Sequence, residues 1–526
     1  MNYPRIFAWK AIPSGRYFAS ASRVAGEPDA GLSTYYLMLL LVLIAISIPL
    51  WIVKYPGMTD YPNHLTRCYI LAHYHENPLW QQRYSIDHTP VPNLAIDLVV
   101  VPLAKFLPLL VSGKIFLTLM AAIYVLGCSE VGRAVTGKPN WLALACAFTF
   151  YNTQLLMGFV NFIFGLGVFL CAFALWLRVR NRMAPWSFCL CCLLSIVAFL
   201  AHLSSVMLLG VACFTIALFD LVRNRKLLVF FANVAWLACP VVLMVAFMKG
   251  SGRVGAVDWH SFLPTINKLS LILSPIGSSS QLVKRVCEVV LLLFFLAILK
   301  GSKVHRTMAV ALVFLALFLF SPESLFASHY VAERYAVPCF LLLLLSIEPR
   351  WGGWQKAAFG LLLAAMMLRV GNITANWIAM SRDSEKVVAL GQVLPRGASV
   401  FVVKPVGDAV ANPPDQEAGL FHVIQLWTVS RDADISTLFA LAGQQPLVFR
   451  QSYCHSDITL SSANMECFPH FDFIWIFDPS PAYSKVLLGM ATPAAAWDKF
   501  TLWRVNRPAV LSAASAAGAR GLTIAK

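Results

Sequence analysis

Residues 34–53 read TYYLMLLLVLIAISIPLWIV, and residues 59–71, a few positions on, read TDYPNHLTRCYIL. The first stretch has no Asp, Glu, Lys, Arg or His, and its length is about what an α-helix needs to cross a hydrocarbon core roughly 30 Å thick. The second places Asp60, Asn63, His64 and Arg67 immediately beyond the end of that helix. An apolar span followed at once by ionisable groups belongs to a membrane protein that keeps polar side chains at the bilayer boundary.

The pattern recurs along the chain. With 526 residues, 59% of them hydrophobic and 13% charged, and a mean hydropathy of +0.70, the protein carries more apolar surface than a soluble fold can bury. Apolar stretches fall near 34–53, 115–131, 141–157, 160–177, 187–202, 204–221, 227–248, 286–299, 307–321, 335–348 and 357–372. The expected fold is an all-α polytopic membrane protein of about eleven transmembrane helices. Behind them, helical spacing at 384–394 and β-branched, aromatic runs at 400–404, 447–450 and 471–477 predict a small C-terminal α/β domain. The segment 94–111 is interrupted by Asp97, Pro102, Lys105 and Pro108; it is expected to be interfacial or re-entrant, because a crossing there would invert every later basic cluster.

Charge sets the orientation. The formal net charge is +16, but the basic residues form no face with interleaved aromatics, so no nucleic-acid partner is expected. Instead they sit in short clusters between spans: Arg5 to Arg23, Arg133 with Lys138, Arg178 to Arg182, Arg223 to Lys226, Lys300 to Arg306, and Arg350 with Lys356. Placing all of them in the cytoplasm satisfies the positive-inside rule. Residues 1–33 then form a cytoplasmic tail, and 34–372 a membrane domain with outer loops 54–114 and 249–285. Residues 373–510 form a periplasmic domain and 511–526 a disordered tail, in a bacterial inner membrane. The first span ends in Trp51-Ile-Val-Lys-Tyr55 without a small-residue cleavage site, so it reads as an uncleaved anchor. Cys454 and Cys467 fall in the outer domain, where a disulfide is favoured over a metal site.

Polar residues inside or beside the spans gather on the outer face. Asp60, His64 and Arg67 follow the first span; Asn152, Gln154 and Asn161 lie near the outer ends of the third and fourth; His202 separates the fifth from the sixth; His329, Glu333 and Arg334 lie between the ninth and tenth. Each has a plain alternative: a helix cap for Asp60, a helix-end hydrogen bond for His202, interfacial anchoring for Glu333 and Arg334, and interhelical glue for the amides. Their shared layer is what points to a site. No Walker A loop, dinucleotide fingerprint, HExxH or GxSxG is present, so nucleotide-driven transport and the familiar hydrolase elbows have no support.

The first span with its acidic outer loop, some ten further spans, the segment Glu333-Arg-Tyr-Ala-Val-Pro338 opening a late span, and a soluble end domain together resemble the GT-C superfamily of membrane glycosyltransferases. The segments Asp60-Tyr-Pro-Asn-His-Leu-Thr-Arg67 and Pro92-Asn-Leu-Ala-Ile-Asp97 are similar to bacterial membrane proteins related to that group. The resemblance implies a polyprenyl-phosphate sugar as donor, an envelope lipid or glycan as acceptor, membrane lipids as surroundings, and Asp60 as the base, with His64 beside it. Arg67, Asn152, Gln154, Asn161, His202, His329, Glu333 and Arg334 would bind substrate or its phosphate. Where many relatives carry paired acids, Asp60 is followed by Tyr61, so any divalent metal would need Glu76, Asp87 or Asp97 as second carboxylate. Competing readings are a lipid or solute transporter and a non-catalytic envelope assembly protein; the first lacks the inverted repeat and paired broken helices that such folds show.

Overall fold

The computed structural model describes residues 30–89, 91–251, 271–299, 301–322, 330–404, 419–451, 454, 458–459, 467–477, 487, 489–498 and 500–506, with side chains for all of these but 30, 248–251, 404 and 458–459. His329 and the stretches 1–29, 252–270 and 507–526 lie outside the described residues.

Helices dominate because a chain this apolar can satisfy its backbone polar groups in lipid only within helical segments or a closed barrel. Among the described residues, six helices are long and apolar enough to span a bilayer: Gly31–Ile52, Leu109–Thr136, Val160–Val179, Leu203–Asn224, Leu227–Phe247 and Gly353–Val393. Shorter apolar helices cover Ala95–Ala104, Leu142–Leu156, Pro185–Ala201 and Met308–Phe320, and Gln281–Leu299 and Glu333–Leu345 are helical too. The apolar stretches named from the sequence therefore fall for the most part on helical segments.

Three expected elements differ in shape. The stretch 141–157 is not one rod but Leu142–Phe148 and Thr153–Leu156, because Asn152 hydrogen-bonds its own neighbourhood. Its amide donates to the carbonyls of Thr149 and Phe150, and its Oδ1 accepts from the Leu155 N–H. The stretch 227–248 is interrupted by a 3₁₀ turn at Ala235–Leu237, where the indoles of Trp176 and Trp236 both donate to the Asn233 carbonyl. The predicted helix at 384–394 is the end of one 38-residue helix, Gly353–Leu390, that begins with the last span.

The described chain divides into two compact units: one of residues up to 52, 89–95 and 114–375, the other of 53–88, 96–113 and from 376 on. The loop 54–114, expected to belong with the membrane helices, thus groups for the most part with the C-terminal residues. In the first unit, the helices Leu109–Thr136 and Val160–Val179 meet at Gly127 and Gly167, where an added Cβ would lie 2.7 Å from Leu170 and 2.9 Å from Ile123. At one end of this unit the basic clusters find acids. Arg178 pairs with Glu130 at 2.5 Å, Arg306 with Asp220 at 2.6 Å, Arg180 with the same Asp220, and Lys138 with Glu348 at 2.7 Å. These pairs tie the C-terminal ends of three helices to the residues flanking Met308–Phe320 and Glu333–Leu345, as a common face for those clusters requires.

The second unit is built on a mixed sheet. Ser399–Lys404 pairs in parallel with Asp434–Ile435, Ile458–Thr459 and Phe473–Phe477; Phe500–Val505 runs antiparallel between Phe473–Phe477 and Ala491–Trp497. Strand alternation splits its core in two. Val400, Val402 and Trp475 pack with Trp427 and Ile424 on one face, while Phe401, Val403, Ile474 and Ile476 pack with Phe468 and the disulfide joining Cys454 to Cys467 on the other. The outer loop adds its own strand, Tyr84–Ile86, antiparallel to Leu447–Phe449, over a third core of Ile70, Trp80, Tyr84, Leu438 and Phe449.

Candidate functional site

In the second unit, the helix Tyr61–Ala72 starts where Asp60 takes the N-cap position and Pro62 stands at the first turn. The Asp60 side chain makes no capping hydrogen bond to the helix, so the plain reading of that residue as a cap does not describe it. Its Oδ1 lies 3.5 Å from Nε2 of His422, a residue of the C-terminal domain. One turn on, Asn63 is buried with every polar atom engaged: Nδ2 donates to the Thr437 carbonyl at 2.8 Å and meets Nδ1 of His422 at 3.2 Å, and Oδ1 accepts from the Phe439 N–H at 2.7 Å.

His64 and Arg67 lie deeper. The His64 ring packs edge-on against Phe439, and its buried Nδ1 has no hydrogen-bond partner among the described residues. Burial, with the nearby Arg67 and His422 adding to it, holds the imidazole well below its usual range, so it is neutral at physiological pH. Arg67 is fully buried and committed: Nε and Nη2 donate to the two carboxylate oxygens of Asp97 at 2.9 and 2.7 Å, and Nη1 to Gln445. The residue expected to meet substrate phosphate is instead part of the framework, because the guanidinium fork matches a carboxylate already delivered by the helix Ala95–Ala104.

The first unit gathers a second set of polar groups at helix ends opposite the acid–base pairs described above. Asn161, in the first turn of Val160–Val179, donates to the carbonyl and to Oδ1 of Asn93 at 2.7 and 2.8 Å. Asn93 adopts φ of 100°, a left-handed conformation that Asn tolerates better than most residues, and its N–H and that of Leu94 both donate to the Leu200 carbonyl. That carbonyl sits two residues before His202, which ends the helix Pro185–Ala201 and caps Leu203–Asn224 by accepting the Ser204 N–H on Nδ1 at 3.1 Å. Arg334, buried in the first turn of Glu333–Leu345, brings Nη1 to 3.4 Å from Nε2 of His202 and 3.3 Å from the Ser204 hydroxyl, its guanidinium lying against the Phe159 and Phe162 rings.

One consequence is electrostatic. With its Nδ1 occupied as an acceptor, the neutral His202 ring carries its proton on Nε2. Two N–H donors, His202 Nε2 and Arg334 Nη1, therefore face each other across 3.4 Å and are complementary to a shared anionic acceptor.

The remaining expected residues divide. Asn152 is used up locally, as above; Gln154 is buried with its Oε1 unpartnered among the described residues; Glu333 is buried beside Arg334. His422, Asn93 and Arg369 were not among the expected residues. Arg369 had a legible signal, an ionisable residue within an apolar span; it is fully buried and donates to the carbonyls of Gly277, Phe148 and Tyr151. No local sequence signal marks His422. Among the described residues no three His, Cys, Asp or Glu side chains are grouped so as to hold a metal ion. Of the expected second carboxylates, Asp97 is bound to Arg67 and Glu76 to His73.

No family model matches the chain, and no curated protein matches it. Among solved structures, that of ArnT from Cupriavidus metallidurans bound to undecaprenyl phosphate aligns with a TM-score of 0.51 at 9% sequence identity, over 90% of this chain and 98% of that one. The chain thus shares the fold of that structure over most of its length.

Proposed function

We propose that this chain is a GT-C-type membrane glycosyltransferase that moves a sugar from a polyprenyl-phosphate donor to an envelope lipid or glycan at the outer face of the bacterial inner membrane. The observation that carries the reading is the pair of facing N–H donors on His202 and Arg334, set among aromatic rings at helix ends of a fold whose solved relative in shape binds undecaprenyl phosphate. A phosphate monoester or diester oxygen is the acceptor those donors suit.

Asp60 takes the proton of the acceptor hydroxyl as its oxygen forms a bond to the anomeric carbon. The bond from that carbon to the phosphate oxygen breaks, the electron pair leaves with the phosphate, and the configuration inverts. Arg334 and His202 serve as the binding pair for the phosphate of the donor, and Asn161 and Asn93 hold the helix ends that present them. No step is drawn through a metal, and Arg67 and Asn152 act as framework.

The test uses membranes containing the full chain, the polyprenyl-phosphate-sugar fraction extracted from producing cells as donor, and mass spectrometry of the glycolipid formed. Arg334→Ala is expected to slow transfer roughly 100- to 1,000-fold and Asp60→Asn by a similar factor, both at unchanged protein abundance. Wild-type product levels with either variant would remove that residue's role; absence of any transfer product with the intact chain would remove the reading.

A further inference from the structure

We infer that His422, supplied by the C-terminal domain, is a positioning residue that holds the Asp60 carboxylate for proton acceptance, in a tautomer dictated by Asn63. The inference rests on the transferase reading above for what Asp60 does, and on hydrogen-bond logic for the rest.

The Phe439 backbone N–H is only a donor, so the Asn63 atom it meets at 2.7 Å is the oxygen. The Thr437 carbonyl is only an acceptor, so the Asn63 atom 2.8 Å from it is the nitrogen. The amide orientation is thereby set twice over. Its NH2 also meets Nδ1 of His422 at 3.2 Å, which makes Nδ1 an acceptor and leaves the proton of the neutral ring on Nε2. Nε2 faces Oδ1 of Asp60 at 3.5 Å, so the contact is a donor aimed at a carboxylate, at the long end of direct interaction.

The surroundings keep the imidazole in place. It is 5% exposed and lies against the rings of Phe421 and Phe439, at centroid distances of 4.8 and 5.5 Å, and the His64 ring also packs against Phe439. Protonating Nδ1 would set an N–H against the Asn63 NH2, so the ring serves as a fixed donor and not as a proton shuttle. Asp60 belongs to a short loop ahead of a helix; a donor on Oδ1 limits its rotamers and so directs the carboxylate toward the acceptor hydroxyl. The sheet domain thus has a part in the reaction chemistry through His422.

The experiment compares His422→Phe, which keeps ring volume and removes the donor, with His422→Gln, which keeps an N–H donor, in the transfer assay with the extracted polyprenyl-phosphate-sugar fraction. His422→Phe is expected to lower the rate at saturating donor roughly 10- to 100-fold with half-saturation unchanged, and His422→Gln to recover most of it. Asp60→Asn combined with His422→Phe is expected to be no slower than Asp60→Asn alone, because both changes remove one function. Full activity of His422→Phe where Asp60→Asn is inactive overturns the role of His422 and leaves Asp60 as the base; full activity of Asp60→Asn removes the base and the inference with it. Equal losses in the Phe and Gln variants also overturn the donor role. If the Phe variant does not accumulate, ¹⁵N-histidine spectra of the intact chain decide: a proton on Nε2 with bare Nδ1 supports the inference, and a proton on Nδ1 overturns it.

Discussion

Replacing Arg67 with Met should unfold the unit that contains it more than any surface change. The guanidinium is fully buried and donates twice to Asp97, whose side chain is 7% exposed, and once to Gln445. All three of its charge-assisted hydrogen bonds are lost and the carboxylate is left buried without a counter-ion, a change that costs about 3–5 kcal/mol in all in comparable cases. For a domain of roughly 150–250 residues, each kcal/mol moves the melting temperature by about 2–4 °C, so a drop of about 6–20 °C is expected. Thermal unfolding in detergent, followed by tryptophan fluorescence, reads this unit through the buried Trp80, Trp427 and Trp475. The double variant Arg67→Met, Asp97→Leu should recover most of the loss, because neither charge is stranded. The reasoning is refuted if Arg67→Met melts within about 3 °C of the wild type, or if the double variant is no more stable than the single one.

Three further outcomes are expected. The His64 imidazole is held well below its ordinary value near 6.5, so below about pH 6.5 the unfolded chain binds a proton that the folded chain refuses; stability is full above that pH and falls by at most about 1.4 kcal/mol per unit as pH drops. Unfolding curves at pH 7.5 and 5.5 should show that slope flattened in His64→Phe, and equal slopes would contradict the burial argument. Cys454 and Cys467 lie 13 positions apart, so their replacement by Ser should cost about 3 kcal/mol, with reductant lowering the wild-type melting temperature to match; a melt insensitive to reduction would count against it. Arg369→Leu should strip the carbonyls of Gly277, Phe148 and Tyr151 of their donor at about 1–3 kcal/mol each, and Arg369→Lys should restore little, since a single ammonium does not reproduce the planar fork; lysine rescue to wild-type stability would argue that charge alone matters.

Three residues of the candidate site lie at boundaries that local chemistry marks. Asp60 precedes a proline at a helix start, His202 separates two apolar runs, and Arg334 opens another, so hydropathy and charge alone single them out. The roles of Arg67 and Asn152 were not legible, because residue type is the same for a ligand-binding arginine and a framework one. What differs is the neighbour: Asp97 meets Arg67 from a separate helix, and the Asn152 side chain bonds to the backbone of Thr149, Phe150 and Leu155.

By itself the sequence determined the membrane class, the positions of the apolar helices and the clustering of basic residues, since these depend on composition and on periodicity over tens of residues, which lipid and the membrane potential read directly. It also determined where a sheet begins, through β-branched runs. Only the tertiary structure decided that the loop after the first span folds with the C-terminal sheet, that Asn63 meets a histidine 359 positions away, and that His202 and Arg334, 132 positions apart, turn donors toward one point. Such pairings depend on how long segments close on one another, and no repeat or spacing in the chain records which buried group each polar atom will find.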